Sequence, residues 1–175
     1  MSNIKLGQVA GLRLSAKPSA IVGFFLLWII LSVVAIALFK IPTGEAIVGG
    51  LIAAVLHYVG EIVHNLGHAR AARQTGYPMM GVLLVGVLGV SLYPPDEPEL
   101  PADVHIRRAL GGPTASLLLT IIAAVIALLL RPGGGTPWLV AAFFSLENLL
   151  LFTLGAFIPL GFTDGSTLLK WRGKR

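Results

Sequence analysis

The chain has 175 residues, of which 55% are hydrophobic and only 12% are charged, and its formal net charge is +5. A soluble domain carries about 25% charged residues, and a disordered chain needs low hydrophobicity. The composition therefore excludes disorder and argues against a soluble enzyme. The sequence contains no cysteine, so a disulfide scaffold is impossible and any metal site must use His, Asp or Glu. With a mean hydropathy of +0.85, the chain is predicted to be an integral membrane protein.

Apolar segments separated by polar turns predict four transmembrane helices. The first is an uncharged run of about 20 residues, which matches the thickness of a bilayer core. The third is predicted to begin at Ala109, with Gly111-Gly112-Pro113 in its entry, and the fourth to stop at Pro159. The four predicted spans are residues 20–39, 46–71, 109–130 and 138–158.

Residues 78–93 lie between the second and third spans and are apolar but short, with three glycines. A segment of this length predicts a re-entrant element or a β-hairpin, whose backbone needs protein or water to satisfy it. Residues 94–108 then form a predicted polar loop, in which His105 is expected to be solvated.

The predicted fold class is an all-α integral membrane protein with four transmembrane helices and one short re-entrant or β-hairpin segment. Residues 1–175 form a single membrane domain in this interpretation. The first helix and its turn occupy residues 18–45, and the remaining core occupies residues 46–171.

The basic residues predict the orientation. If the N-terminal segment is cytoplasmic, all of the 13 Lys and Arg residues except Lys40 and Arg131 fall on the cytoplasmic side. This bias follows the positive-inside rule, so both termini are expected in the cytoplasm, in the plasma membrane of a prokaryote. Because the basic residues form no single patch, no nucleic-acid partner is expected. The oligomeric state is not predicted.

The second helix carries a stripe of ionisable side chains, His57, Glu61, His64 and His68. At about 100° per residue, all four share one face of the helix. Ionisable residues inside a membrane helix are functional candidates by default and face the interior of a bundle.

His64 and His68 are one helical turn apart, and two imidazoles at this spacing can bind one metal ion, as in H-E-x-x-H zinc helices. A catalytic zinc needs a third protein ligand and an open position. Asp164 follows the fourth helix and lies at the same predicted depth as the two histidines. The alternative interpretation is a pair of hydrogen-bonded histidines and a turn aspartate before Gly165. The sequence favours one zinc ion held by His64, His68 and Asp164.

Three motifs, in order, resemble those of the site-2 protease family of intramembrane zinc metalloproteases. Residues 61–69 (EIVHNLGHA) are similar to the family's H-E-x-x-H helix, residues 109–113 (ALGGP) to its Gly-Pro helix start, and residues 157–165 (FIPLGFTDG) to its P-x-x-x-x-D-G motif. Thr163 stands where the family usually has Leu, and Ala156 where an Asn often stands. The resemblance covers roughly residues 46–171. It implies the same three zinc ligands, lipid-bilayer surroundings, and a membrane-protein or peptide substrate cut near the cytoplasmic face, docking as an added strand beside residues 78–93.

Asn65 occupies the position of the family's general-base Glu. An amide cannot take a proton from water at neutral pH, so an inactive or feebly active chain is expected. Asn65 marks an engineered trap or a natural pseudoenzyme, or else another carboxylate replaces the base. Glu61 is the candidate for that third explanation, but it lies about 6 Å further along the helix axis, which makes it a doubtful substitute.

A second function from another class is a small membrane ion or metal transporter that uses a cluster of His57, Glu61 and Glu147, because intramembrane acids and histidines mark ion pathways. The plainer interpretation of Glu147 is a buried carboxylate paired with His57. A protease gathers its ligands at one depth, whereas a permeation path spreads polar groups across the bilayer. The outer halves of the first, third and fourth predicted helices are apolar, and the sequence shows no inverted repeat. Both observations favour the protease.

Overall fold

The structure is a computed structural model that describes residues 3–174. Across that range the chain is mostly helical, with a small sheet on one side of the bundle. The helices are α1 (Pro18–Phe39), α2 (Thr43–Gln74), α3 (Ala102–Leu130), α4 (Gly135–Glu147) and α5 (Asp164–Trp171). The strands are β1 (Ile4–Val9), β2 (Leu12–Ala16), β3 (Gly81–Val85) and β4 (Leu88–Leu92). Single 3-10 turns at Arg131–Gly133 and Gly155–Phe157 and a π-helical segment at Asn148–Leu154 complete the regular structure.

The long helices have the length and surface of membrane spans. Four helical stretches among the described residues are long and apolar enough to cross a membrane. Their outward faces carry large apolar side chains, as at Leu118, which is 60% exposed, and Leu129, which is 75% exposed. Apolar surface of this extent is expected where a helix faces lipid rather than water.

The sheet has the order β1-β2-β3-β4. The outer pairs are antiparallel, and β2 pairs with β3 in parallel, with Ser15 opposite Leu83. Of the two alternatives predicted for residues 78–93, a re-entrant element or a β-hairpin, the structure has the hairpin. Gly86 and Val87 form its two-residue turn, and Gly86 has the positive φ of +60° that such turns require.

The prediction of an all-α chain is wrong for the N-terminal segment, which forms β1 and β2. Leu12 and Ala16 of β2 are buried in a cluster with Val82 and Leu84 of β3. This pairing joins residues 67 positions apart, as in the contact between Ser15 and Val82. A non-local contact of this kind leaves no local pattern in a short polar segment.

α2 lies at the centre of the bundle and crosses α3 where two glycines meet. A Cβ atom on Gly67 would overlap the carbonyl oxygen of Gly111 and lie 2.6 Å from the Cβ atom of Ala115. Small residues at a crossing let helix backbones approach closely. This close approach brings the polar stripe of α2 against α3.

α3 begins earlier than predicted, at Ala102 rather than residue 109, so Pro113 lies inside the helix. The proline ring fixes a φ that a helix accepts, at the loss of one backbone hydrogen bond. Asp103 in the first turn favours the earlier start. The loop predicted around His105 is consequently wrong: the residue lies on α3, where its half-buried ring stacks on Trp171 with centroids 4.1 Å apart.

Candidate metal centre

The C-terminal half of α2 and the first residue of α5 bring together the three predicted ligands. The Nε2 atoms of His64 and His68 lie 3.0 Å apart. Each also lies 3.4 Å from one carboxylate oxygen of Asp164. One ligand atom from each residue falls within 4.8 Å of the others, so the group could hold a metal ion.

Hydrogen bonds on the far side of each imidazole orient the two rings. The Nδ1 atom of His68 donates to the carbonyl oxygen of Arg108 at 2.7 Å, and Nδ1 of His64 lies 3.0 Å from the hydroxyl of Ser116. Partners of this kind fix the ring orientation and tautomer of metal-binding histidines.

The electrostatics of the group fit a cation. The Arg108 carbonyl can only accept, so the single N–H of neutral His68 must be on Nδ1. The Nε2 atom of His68 therefore carries a lone pair, which faces His64 and the Asp164 carboxylate. Electron-rich atoms so close together are stabilised either by a proton shared between the two imidazoles or by a metal ion among all three ligands. Two imidazoles and one carboxylate form a donor set that zinc accepts, so the residues present fit the metal that the sequence predicted.

Gly112 on α3 provides the space for this group. A Cβ atom at this position would overlap Nε2 of His68 and lie 2.6 Å from Nε2 of His64. The imidazoles therefore lie directly against the α3 backbone, where only glycine fits. The sequence analysis treated the Gly-Gly-Pro segment as a helix start, and the role of Gly112 in the site was missed.

The segment before α5 delivers Asp164 to the site. The hydroxyl of Thr163 accepts from the backbone N–H of Leu160 and lies 3.1 Å from the hydroxyl of Ser166. Gly165 lies so close to the carbonyl of Phe157 that a Cβ atom would overlap it. At the other end of α5, Trp171 stacks on His105 of α3. These contacts hold Asp164 beside α2 from both directions.

The candidate metal centre opens into a cleft of about 790 Å³ between α2, β4 and the end of the fourth span. The turn residue Val87 and the following residues of β4, up to Ser91, form one side of this cleft. Apolar side chains of the fourth span form the opposite side, among them Leu151, Phe152 and Ile158. A cleft with an apolar wall and a strand along one side suits an extended peptide.

Asn65 lies at the cleft but is engaged by other parts of the chain. Its side-chain amide is 1% exposed and donates to the carbonyl of Glu61 at 2.9 Å. Its oxygen accepts from the hydroxyl of Ser91 at 2.8 Å. The carboxylate of Glu61 in turn accepts from the backbone N–H of Gly89 at 2.8 Å. Both polar side chains thus contact β4.

The remaining histidine of the α2 stripe belongs to a separate buried pair. Nδ1 of His57 lies 2.7 Å from Oε1 of Glu147, which confirms the pairing that the sequence predicted. Nε2 of His57 lies 2.7 Å from the carbonyl oxygen of Val87 in the β3–β4 turn. His57 therefore links α2, α4 and the hairpin, and it is not part of the candidate metal centre.

Sequence reasoning missed Arg108, which it had assigned to a loop. The guanidinium is buried on α3 and bonds both carboxylate oxygens of Glu97, at 2.9 and 2.5 Å. It also lies 4.2 Å from the ring centroid of Tyr93. The hydrogen bonds from Arg108 lower the pKa of Glu97, and burial raises the pKa of Tyr93 to about 12. The Arg107-Arg108 pair was the signal available, but only the earlier start of α3 turns Arg108 inward.

The apolar helical bundle thus brings two histidines from one helix and an aspartate from another to one cleft. No protein-family model matches the chain. The chain is 28% identical over 119 residues to a zinc metalloprotease of Methanocaldococcus jannaschii. This match covers 66% of the present chain and 32% of the metalloprotease. It thus spans about a third of the length of this relative.

The fold is similar to that of the site-2 protease from Methanocaldococcus jannaschii, with a TM-score of 0.65 and 19% identity. The match covers 97% of this chain and 70% of the solved chain. The chain therefore has a site-2 protease fold, and the resemblance to the site-2 protease family predicted from the three motifs is confirmed.

Proposed function

We propose that this chain is a membrane-embedded zinc metalloprotease of the site-2 type in a form that cleaves feebly or not at all. One zinc ion is held by His64, His68 and Asp164. The ligand is a transmembrane or juxtamembrane peptide that enters the cleft near the cytoplasmic face. The observation that carries the proposal is the convergence of the three ligand atoms within 4.8 Å beside the cleft.

The residues around the centre have separable roles in this proposal. Zinc, when bound, would supply the Lewis acidity for peptide hydrolysis. Ser116 and the Arg108 carbonyl hold the two imidazoles in position. An extended peptide pairs with β4 as an added strand, since main-chain hydrogen bonds give affinity without demanding a sequence.

The missing element is the proton transfer. Asn65 stands at the position of the general base, and an amide offers no group that takes a proton at neutral pH. Its two polar ends are already bonded to Glu61 and Ser91. Loss of a general base lowers the rate by about 10²–10⁴-fold. Glu61 could replace it only if its carboxylate left Gly89, so we assign it no catalytic step.

The proposed orientation has both termini in the cytoplasm of a prokaryotic cell. It rests on the distribution of basic residues, which leaves only Lys40 and Arg131 outside. In this orientation the metal ligands lie in the cytoplasmic half of the bundle.

The transporter alternative rests on the buried charges of His57, Glu61 and Glu147. Two observations weigh against it. His57 and Glu147 bond each other, and Glu61 bonds the hairpin, so each member of the cluster has a local structural partner. A proton or ion flux in liposomes that Glu147→Gln abolishes would favour the transporter.

The proposed function is tested by restoring the base. We expect Asn65→Glu to raise cleavage of a labelled single-span membrane peptide by about 10²–10⁴-fold over the unmodified chain. Asn65→Gln is the matched control, because it changes the size of the side chain but keeps the amide, and it should stay inactive. At saturating peptide, Glu61→Gln should change the cleavage rate of the unmodified chain little.

Two results would contradict this account. Strong cleavage by the unmodified chain that disappears in Glu61→Gln would make Glu61 the base. No cleavage by Asn65→Glu with zinc bound would instead mean a pseudoprotease that only binds its peptide.

A further inference from the structure

The free edge of β4 is the feature from which a further inference follows. In an antiparallel pair, the backbone N–H and C=O groups of alternate residues bond the neighbouring strand. The N–H and C=O groups of the residues between them point away from that strand, towards the free edge. Gly89 lies opposite Leu84 in the register with β3, yet its N–H bonds Glu61 on α2. Gly89 is thus an outward-facing residue of β4, and the alternation places Ser91 on the same edge.

Two polar side chains of α2 contact these two residues of β4 with a matching spacing, Glu61 at a main-chain N–H and Asn65 at a side chain. Glu61 and Asn65 are one turn apart, about 6 Å along the helix, and Gly89 and Ser91 are about 6.6 Å apart along the strand. Glu61 accepts from the N–H of Gly89, and Asn65 accepts from the hydroxyl of Ser91. A Cβ atom on residue 89 would lie 2.8 Å from Oε2 of Glu61, so glycine allows this close contact.

We propose that Glu61 is an internal competitor for the peptide-binding edge of β4. Its carboxylate occupies the N–H of Gly89 as the carbonyl of an added strand would, and an extended peptide has to displace it. Glu61 is then a residue that sets the affinity for the peptide rather than a catalytic residue. The inference rests on the proposed function, in which β4 receives the peptide.

The hairpin cannot relieve this competition by moving away, because its turn is fixed from two helices. The carbonyl of Val87 contacts His57, and the carbonyl of Gly86 lies 2.7 Å from the hydroxyl of Tyr58. Gly23 of α1 packs against the backbone of Gly86, where a Cβ atom would lie 2.6 Å from a carbonyl carbon. The carboxylate of Glu61 must therefore rotate while β4 stays in place.

Binding can be measured directly because the unmodified chain is expected not to consume the peptide. The probe is a short capped fluorescent peptide of valine, leucine and threonine, titrated into the full zinc-loaded chain in detergent. We expect Glu61→Ala to bind it about tenfold more tightly than the unmodified chain, the loss of one competing hydrogen bond. Glu61→Gln keeps an oxygen acceptor without the charge and should fall between the two.

Two controls separate edge competition from other effects. Glu45→Ala removes a carboxylate from the same helix that contacts Thr136 rather than β4, and it should leave the affinity unchanged. A backbone N-methylated copy of the peptide cannot pair as a strand and should not bind any variant. Zinc content reports whether each variant keeps its fold.

Equal affinity of the unmodified chain and Glu61→Ala, with zinc and peptide binding retained in both, would overturn this inference and leave the proposed function standing. The same holds if Glu61→Ala binds more weakly. Absence of peptide binding in every zinc-loaded variant would overturn both the inference and the strand-docking part of the proposed function.

Discussion

Two histidine clusters on the same face of α2 differ in what surrounds their ring nitrogens. His57 has both nitrogens occupied, one by Glu147 and one by the carbonyl of Val87. His64 and His68 have their Nδ1 atoms bonded to Ser116 and to the Arg108 carbonyl, and their Nε2 atoms lie 3.0 Å from each other and 3.4 Å from the Asp164 oxygens. Both ring nitrogens of His57 are thus bonded within the protein, whereas the converging Nε2 atoms and the carboxylate of the second cluster could hold a metal ion.

This difference indicates that His57 has a structural role on α2, whereas His64 and His68 are candidates for a chemical one. A buried polar group costs free energy unless it is bonded, and His57 meets that demand while joining three elements. The metal group leaves electron-rich atoms converging on one point beside a cleft. Ionisable residues on one membrane helix therefore need to be judged by their partners, not by their number.

Breaking the pair of His57 and Glu147 should give the largest change in the free energy of unfolding. His57→Leu leaves the Glu147 carboxylate buried without a partner, and we expect it to destabilise the chain by about 3–5 kcal/mol in reversible unfolding from detergent. Glu147→Gln is the matched variant, because its amide can still bond Nδ1 of His57, and it should be much milder. Both variants should keep zinc. If His57→Leu is as stable as Glu147→Gln, the two clusters do not differ as described.

A larger side chain at Gly112, which lies against the candidate metal centre, should affect the cluster of His64, His68 and Asp164 and leave the His57–Glu147 pair unchanged. Gly112→Ala forces a methyl group against both imidazoles, and we expect the affinity for zinc to fall by about 100-fold, the upper range for disturbing a metal ligand's support. Gly44→Ala places the same methyl group in open space and should leave zinc binding unchanged. A competition titration with a chelator measures both. Unchanged affinity in Gly112→Ala would contradict the observed ligand geometry.

A smaller effect is expected from Glu97, whose pKa is lowered by hydrogen bonds from Arg108. Because the folded pKa lies below the unfolded one, the pair stabilises the chain above the ordinary pKa of about 4.5, and this contribution is lost as the pH falls through the lowered value. Glu97→Gln should therefore unfold at a lower temperature than the unmodified chain at neutral pH.

The difference between the two should shrink as the pH drops below the ordinary pKa of the carboxyl group. Glu99→Gln is the control, since Glu99 is exposed on the same loop, and it should match the unmodified chain throughout. A difference between Glu97→Gln and the unmodified chain that stays constant with pH would contradict the assignment.

Local patterns account for the parts of the molecule that could be predicted. The spacing of His64 and His68 follows from helix geometry alone, and the short glycine-rich run at residues 78–93 predicted the hairpin. The pairing of His57 with Glu147 followed from counting residues along two spans to a similar depth. Each of these features depends either on a single helix or segment or on the depth of two residues in neighbouring spans.

The features that were missed depend on contacts between distant segments. β2 is a strand because β3 lies beside it, and Gly112 matters because α2 presses two imidazoles against α3. Arg108 turns inward because Glu97 and Tyr93 receive it. None of these partners is visible in the sequence around the residue itself.

The central claim is that His64, His68 and Asp164 hold one zinc ion, and metal analysis of the purified chain tests it most directly. The unmodified chain should carry one equivalent of zinc. The His64→Ala, His68→Ala double variant and Asp164→Ala should each lose it, while Asp103→Ala, which alters an exposed acid outside the group, should keep it. A full equivalent of zinc in the double histidine variant would contradict the account, because the metal would then bind elsewhere.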